Sequence, residues 1–573
     1  MTAFSASPEQ QTVIGADLVG QQVLACAGSG KTSTSVRRLV EIRRRLGDSR
    51  GYVALLSYSN IAVDTFRREF EELKAELPGL SNRVFIATVD SFVTSHILLP
   101  HASRVMGCGR RPYLVHGHEP FLKGFTVYNG TYSVGIEHLR VLMGDTGDLL
   151  FEDASGYGVP RVIDPSHAEA AIQKLGKSGA FTHELGRYWA LMTLAKTDGL
   201  HRVLARRYPY ILVDEAQDVG TMHGTLLSVL QETGSKVSLI GDPNQAIFDF
   251  ANAHGSYLRN FDPGSDGLKH TLTENWRSAQ PIVDLANSIS GTSASSARPL
   301  PSRRHGAYLI RYKETGLDDL LPTFSAILDS AGYSQDDAAV LCRGTDLVER
   351  LGGAGDETGQ GATDRFARAA ICRDRHGDIA DAFAFAVDGV VRVLANPPST
   401  LRSNVVDGSS DPIPKVLRRL VWRFLKSNAN GIPAATRKAK TDWLPALKKN
   451  LEGLLAEIDK ECHLAMLPSW THNVTARQLS DAPLWKQELI ETDTPRYPVK
   501  TVHQAKGESI GAVLYVAKSK DIKNLLLGPV GEEGRIGYVA ITRARDLLIL
   551  AIPDGISGVS VAELQAKGFA IWS

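Results

Sequence analysis

Short, continuously apolar runs alternate with longer stretches of helical periodicity at the start of the chain. Residues 23–27 (VLACA) form one such run and lead through a Gly-rich turn into a helical stretch, TSTSVRRLVEIRRRL. Residues 52–58 (YVALLSY) form a second, followed by the polar helix IAVDTFRREFEELKAEL, and 84–89 (VFIATV) form a third. Strands buried on both faces and separated by helices predict a parallel, doubly wound sheet. The rhythm lapses from about 96 to 200, which is rich in Gly, Tyr and His and turns helical near HELGRYWALMTLA. It resumes at 210–217 (YILVDEAQ) and 236–242 (KVSLIGD).

A second α/β region follows Arg277, with strands expected at 307–312, 338–343, 499–503, 512–517 and 547–552. It is interrupted after a Gly-dense linker, GGAGDETGQGATDRF, by a mainly helical segment with Pro-rich breaks at 397–398 and 412–414. The pattern divides the chain into two α/β lobes, each carrying an insertion expected to be mainly helical. The first lobe takes 1–95 and 200–278, with its insertion at 96–199; the second takes 279–350 and 495–573, with its insertion at 351–494. No short-period repeat is present.

Composition changes this picture little. Of 573 residues, 43% are apolar and 22% charged, an ordinary globular balance for several domains. No run approaches the roughly 18 apolar residues of a membrane span, and the N-terminus lacks the form of a secretion signal, so a cytoplasmic protein without membrane contact is expected. The five cysteines (Cys26, Cys108, Cys342, Cys372, Cys462) form no CxxC pair, which argues against a zinc ribbon, an iron–sulfur cluster or a disulfide framework. Because 64 basic residues nearly cancel 63 acidic ones, any nucleic-acid binding must come from a local groove.

Chemistry concentrates at two strand ends. ACAGSGKT (25–32) lies between a strand and a helix, where its turn can offer backbone N–H groups to phosphates. Ala27, Gly28, Ser29 and Gly30 would form the cradle, Lys31 would reach the β/γ-phosphates, Thr32 would ligate magnesium, and Ser33 opens the helix. The plain alternative is a Gly-rich turn followed by an incidental Lys-Thr. VDEAQD (213–218) ends an apolar strand with acids, where a doubly wound sheet places its ligands. Asp214 suits a magnesium ion, and Glu215 suits the alignment or deprotonation of an attacking water. A capped loop with exposed carboxylates is the alternative here. Phosphoryl transfer also needs positive charge on the departing group, for which Arg277 in LTENWRS and Arg543 in VAITRAR are candidates.

Taken with their order and spacing, these motifs make the chain resemble the UvrD/Rep/PcrA group of superfamily 1A DNA helicases from about residue 5 to 552. The resemblance implies two RecA-like P-loop motor lobes. In it Gln10 of SPEQ matches the adenine-reading glutamine, and Gln245 of GDPNQAIFDFANA matches the γ-phosphate sensor. Arg277 and Arg543 match the two arginine fingers, and Trp276 the aromatic that stacks on adenine. TVHQAKGES (501–509) resembles the motif that reaches both DNA and nucleotide. Tyr58 and Phe250 would be base-stacking rings, with Asn60, Thr88 and His503 as polar contacts to the strand. Read alone, each of these five is an ordinary core or loop residue.

The chain departs from the related pattern at several positions. Tyr58 replaces a phenylalanine, Phe250 a tryptophan, Ala251 an arginine and Asp90 a histidine. Asp90 is expected to weaken a nearby phosphate contact. Glu-Ser replaces Leu-Glu after Lys506-Gly507, so Glu508 would take the sugar contact one position early, if at all.

The resemblance implies Mg2+-ATP hydrolysis driving 3′-to-5′ movement on single-stranded DNA and at single-/double-strand junctions. The alternative is a regulatory, DNA-stimulated ATPase serving a partner nuclease or repair protein. Compact UvrD-like subunits of the Gabija antiphage system are similar in size, and the long C-terminal tail of other members is expected to be missing. From the residues that follow Arg543, no fused nuclease domain is expected. A basic patch in the second insertion (Arg437, Lys438, Lys440, Lys448, Lys449) reads better as a solvated helix face than as a duplex contact.

Overall fold

Alternate residues of the central strands pack against helices on opposite faces, which explains their unbroken apolarity. Val53, Leu55, Leu212 and Ile86 meet Val36, Leu39, Phe66 and Phe70 on one face. Ala54, Leu56, Ile211 and Val213 meet Leu226 and Leu227 on the other. Each such leucine is worth about 2–5 kcal/mol against truncation to alanine.

The computed structural model describes residues 6–572 except 78, 116, 118, 145, 156–159, 249–253, 314–316, 318, 352–360, 396, 399–400, 409–410, 478, 480, 485–496 and 556–557. Phe250 and Ala251 therefore lie outside the described residues, as does most of the Gly-dense linker. The first sheet contains β1 (Gln21–Ala25), β2 (Val53–Ser57), β3 (Val84–Thr88), β4 (Tyr210–Val213), β5 (Lys236–Gly241) and β6 (Leu268–Leu272). Their order is β6-β1-β5-β4-β2-β3, and every neighbouring pair is parallel. The order reverses beside β1, so the loop after β1 and the acids after β4 lie at the carboxyl edge of one sheet, where such folds bind ligands.

The second sheet contains β7 (Gly306–Tyr312), β8 (Ala338–Cys342), β9 (Val499–Thr501), β10 (Ile510–Val516), β11 (Ala544–Pro553) and β12 (Ala570–Ile571), ordered β9-β8-β10-β11-β7-β12. Two parallel-sheet lobes are thus present, as the pattern predicts.

The first insertion differs from expectation. Besides helices at Pro165–Lys177 and His183–Lys196, it holds a hairpin (Thr126–Tyr128 with Ser133–Gly135) and a three-stranded antiparallel sheet (Leu139–Met143, Leu149–Asp153, Arg161–Ile163). Its helices outweigh its strands, so it stays mainly helical, and the short strands are what the expectation lacked. Strands of three to five residues leave too short an alternation to stand out from irregular chain.

The chain forms two compact units: Met1–Gly316, Thr323–Arg343 and Lys500–Ser573 make one, Leu317–Pro322 and Gly344–Val499 the other. The second is helical and has its own core around Phe366, Val387, Leu420, Trp443 and Leu455. Pro412 and Pro414 open its helix Pro412–Lys426 instead of breaking one, the position where a missing N–H costs nothing. No helix among the described residues is long and apolar enough to cross a membrane.

Candidate functional site

Residues 26–30 carry the chain from β1 into helix α1 (Lys31–Leu46). Gly28 and Gly30 have φ of 73° and 75°, the left-handed region that a side chain disfavours. A Cβ on Gly28 would sit 2.6 Å from Arg277 Cβ, and one on Gly30 would sit 2.6 Å from Gln10 Nε2. Gly30 caps α1 without a side-chain bond, so the first amides of the helix, through Ser33, are open to an anion. Lys31 is buried beside them, Ala27 lies in the core, and the buried Ser29 hydroxyl has no partner among the described residues.

Three predicted nucleotide contacts are spoken for within the protein. The Gln10 amide donates to Ser29 O at 2.9 Å and accepts from Ser7 N–H at 3.0 Å, so it braces the loop. Ser33 turns its hydroxyl to Glu69 (3.1 Å), leaving its backbone N–H for phosphate. The Glu508 carboxylate accepts from Lys500 (2.8 Å). Trp276, in contrast, is 41% exposed, and its backbone N–H donates to Gly28 O at 2.8 Å, which places an open indole against the phosphate loop.

Asp214, just past β4, accepts from Thr32 Oγ1 (3.4 Å) and Ser35 Oγ (3.2 Å). Burial and the neighbouring Glu215 charge raise its pKa, so the site favours an added cation. A buried carboxylate beside a threonine hydroxyl is the sparse oxygen set that suits magnesium, which keeps waters and shares phosphate ligands. Glu215 has φ 54° and ψ 40°, a strained conformation for a non-glycine residue. Burial pushes its pKa up, but Lys31, Lys506, a hydrogen bond from Gln217 and Arg543 outweigh it and hold the carboxylate ionised.

The second lobe supplies the remaining charge from helix α2 (Glu532–Arg543). Arg543 is buried and donates to Gln245 Oε1 at 3.0 Å; Gln245 donates to Asp242 Oδ2 at 2.8 Å. Asp242 N–H in turn donates to Gln217 Oε1 at 3.1 Å, and the same Gln217 amide reaches Glu215. A hydrogen-bonded path therefore joins the second lobe to the candidate general base. Arg277 donates to Thr542 O at 3.3 Å. Burial, and for Arg543 the nearby Arg277 charge, lowers both guanidinium pKa values. Lys506 of the second lobe pairs with Asp218 at 2.6 Å and lies 4.4 Å from the Phe248 ring centroid. Gln217, Asp218, Asp242 and Lys506 sit inside motifs the sequence identified, yet only the fold assigns them partners.

Tyr58 and Phe248 line a cavity of about 170 Å3 with Arg187, Asp218 and His223. Asn60 is exposed at the start of the helix Asn60–Ala75. Thr88 caps the short helix Val89–Phe92 by accepting from Ser91 N–H at 3.1 Å, and the Nε2 of His503 lies 3.1 Å from Ile247 O. The side chains of Thr88 and His503 thus already have protein partners. Asp90 is no loose negative charge: Arg187 holds it at 3.0 and 3.1 Å, so the expected repulsion of a phosphate is answered within the protein.

The family model for the UvrD/REP helicase N-terminal domain matches residues 180–265, and that for the UvrD-like helicase C-terminal domain matches 449–554. The chain is 25% identical to the ATP-dependent DNA helicase srs2 of Schizosaccharomyces pombe over 63% of its own length and 48% of the relative's. It is 33% identical to the ATP-dependent DNA helicase PcrA of Leuconostoc citreum over 47% of its length and 36% of that protein's. A shorter similarity, 32% over 18% of the chain and 9% of the relative, is to an ATP-dependent helicase/nuclease subunit of Carboxydothermus hydrogenoformans. The chain thus spans less than half the length of each of these three relatives.

Proposed function

We propose, from the premise that the chain is a UvrD/Rep/PcrA-like superfamily 1A protein, that it is an ATP-driven DNA helicase or translocase moving 3′ to 5′ on single-stranded DNA in the cytoplasm. The observation that carries this reading is the path from Arg543 through Gln245, Asp242 and Gln217 to Glu215. It joins a cation of one lobe to a carboxylate of the other, which is what coupling hydrolysis to lobe movement requires.

In this reading the amides at the start of α1 and Lys31 hold the phosphates, and Trp276 offers its ring to the base. Ionised Glu215 accepts the proton of the water that attacks the γ-phosphorus as the bond to the ADP oxygen breaks. Arg277 and Arg543 meet the negative charge on the transferring group, a contribution on the order of 10³–10⁵ in turnover in comparable sites. Magnesium, when bound, neutralises phosphate charge, and Thr32 with Asp214 would hold it. The groove beside Tyr58 and Phe248 would take the strand, with Asn60 at its edge.

The test is strand displacement on duplexes bearing a 3′ or a 5′ tail, with ATP turnover followed in parallel. Displacement from the 3′-tailed duplex and single-strand-stimulated hydrolysis are expected. Displacement only from a 5′ tail would overturn the polarity, and hydrolysis indifferent to DNA would overturn the motor. The similarity to a helicase/nuclease protein favours one second reading, a DNA-stimulated ATPase serving a partner nuclease in repair or antiphage defence. Stimulated hydrolysis without displacement, together with a co-purifying nuclease, would select it.

A further inference from the structure

Two of the departures from the related pattern, Tyr58 and Asp90, lie 32 residues apart in sequence but are joined in space by a residue that no motif contains. The Tyr58 hydroxyl lies 3.1 Å from His223 Nδ1, and His223 Nε2 lies 2.9 Å from Asp90 Oδ1. The same carboxylate takes two further bonds from Arg187 Nε and Nη2, on the first insertion's helix His183–Lys196. His223 is 4% exposed, so both of its ring nitrogens require partners within the protein.

Burial and the Arg187 charge lower the His223 pKa and keep the imidazole neutral, and for a neutral ring the proton inventory has one solution. An ionised carboxylate only accepts, so Nε2 carries the imidazole proton and donates to Asp90. Nδ1 is then an acceptor, and Tyr58 O–H must donate to it. Every donor in the chain points toward Asp90, and the guanidinium balances its charge. The Tyr58 ring is thereby fixed at its far end as well as at Cβ, and it also packs edge-on against the imidazole with centroids 5.6 Å apart.

We propose that His223, Asp90 and Arg187 are positioning residues for single-strand binding: they hold the Tyr58 ring as a rigid wall of the groove and anchor that wall to the first insertion. This rests on the reading of the chain as a single-strand motor. A ring held in one orientation gives up no rotamer freedom when a base stacks on it, so the relay acts through pre-organisation and not through contact with DNA.

The experiment measures affinity for, and dissociation from, a labelled oligothymidylate at fixed salt. The variants are Tyr58→Phe, Asp90→Asn, their combination, and Tyr58→Ala. Tyr58→Phe keeps the ring and deletes one oxygen, so it spares the fold. It should bind about three- to tenfold more weakly, through faster dissociation, at temperatures well below its melting transition. Asp90→Asn should show a similar loss. The double variant should be no weaker than the weaker single one, because both cut one chain. A merely structural relay would lower the melting temperature and leave DNA dissociation unchanged, and that result overturns the proposal. Additive losses in the double variant overturn it too. Tyr58→Ala separates the two levels: weakened binding there with wild-type binding by Tyr58→Phe refutes the relay alone, whereas unchanged binding in both refutes the groove.

Discussion

Replacing Gln217 by methionine isolates the link between the lobes, because the side chain keeps its length and loses only its amide. Gln217 is fully buried and makes two bonds, one donated to Glu215 and one accepted from Asp242 N–H at 3.1 Å. The first is a hydrogen bond to a charged group, worth about 1.5–3 kcal/mol. Glu215 sits in a left-handed backbone conformation, so loss of that bond removes one of the few restraints on its carboxylate. If all of this energy acts in the transition state, turnover falls about tenfold to a hundredfold, since about 1.4 kcal/mol is a factor of ten. The second bond leaves a buried N–H without a partner and costs about 1–3 kcal/mol of stability. The Michaelis constant for ATP should hold within about twofold, because a purely transition-state loss leaves ground-state binding alone. Steady-state ATPase at saturating single-stranded DNA reads the first effect and urea unfolding the second. Gln217→Met turning over at the wild-type rate, or raising the Michaelis constant without slowing turnover, would refute the reasoning.

Glu215→Gln should retain ATP binding and lose turnover, whereas Lys31→Ala should lose both; nucleotide titration beside steady-state ATPase separates them, and near-normal turnover by Glu215→Gln would remove it as the base. Trp276→Ala should raise the Michaelis constant for ATP with little change in turnover, and Trp276→Tyr should be mild, since the open indole is a stacking surface; wild-type constants in both variants would exclude the ring from adenine binding. Burial opposes ionisation of Asp90, but bonds from His223 and Arg187 outweigh it and depress its folded-state pKa. Its contribution to stability is therefore present above the unfolded value of about pH 4 and lost as pH falls below it. Urea midpoints of wild type and Asp90→Asn should converge on acidification, and parallel curves would show that the pairing adds nothing.

The lobes are legible in the sequence because parallel strands buried on both faces leave a signal that needs no partner information. Observed strand ends fall within a few residues of the apolar runs. β6 leaves little signal because LKHTL is an edge strand, with half-buried Leu268 and His270 beside one buried leucine. Arg38 and Arg43 lie in the arginine-rich helical stretch TSTSVRRLVEIRRRL. Both are buried, and they donate to backbone carbonyls of Ile14, Ala16, Gly47 and Gly51. A side chain that satisfies distant carbonyls leaves no periodic mark. The site motifs are readable as motifs, but the use of each atom is not. Gln10 and Ser33 bond within the protein because Ser7 and Glu69 lie within reach, and Asp90 reads as a deficit because its cation lies 97 residues away. Thr88 is a middle case: a threonine between a strand and a helix is a cap signal available from sequence, and its hydroxyl accepts from the Ser91 backbone N–H.

Gly28 gives the phosphate loop a role as a spacer of minimal width. Its α-carbon faces Arg277 Cβ and Asn275 Oδ1 so closely that one methyl group would fall 2.6 and 2.8 Å from them. The clearance between the loop and the segment carrying Trp276 and Arg277 is therefore smaller than any side chain. Alanine there would act as a wedge as well as a strained residue, prising Arg277 away from the loop and tilting Trp276, whose backbone N–H is tied to Gly28 O. The tolerance of the assembly is thus set by hydrogen, the smallest substituent available. A loop usually read as a phosphate grip is at the same time the gauge that fixes how near Arg277 can come.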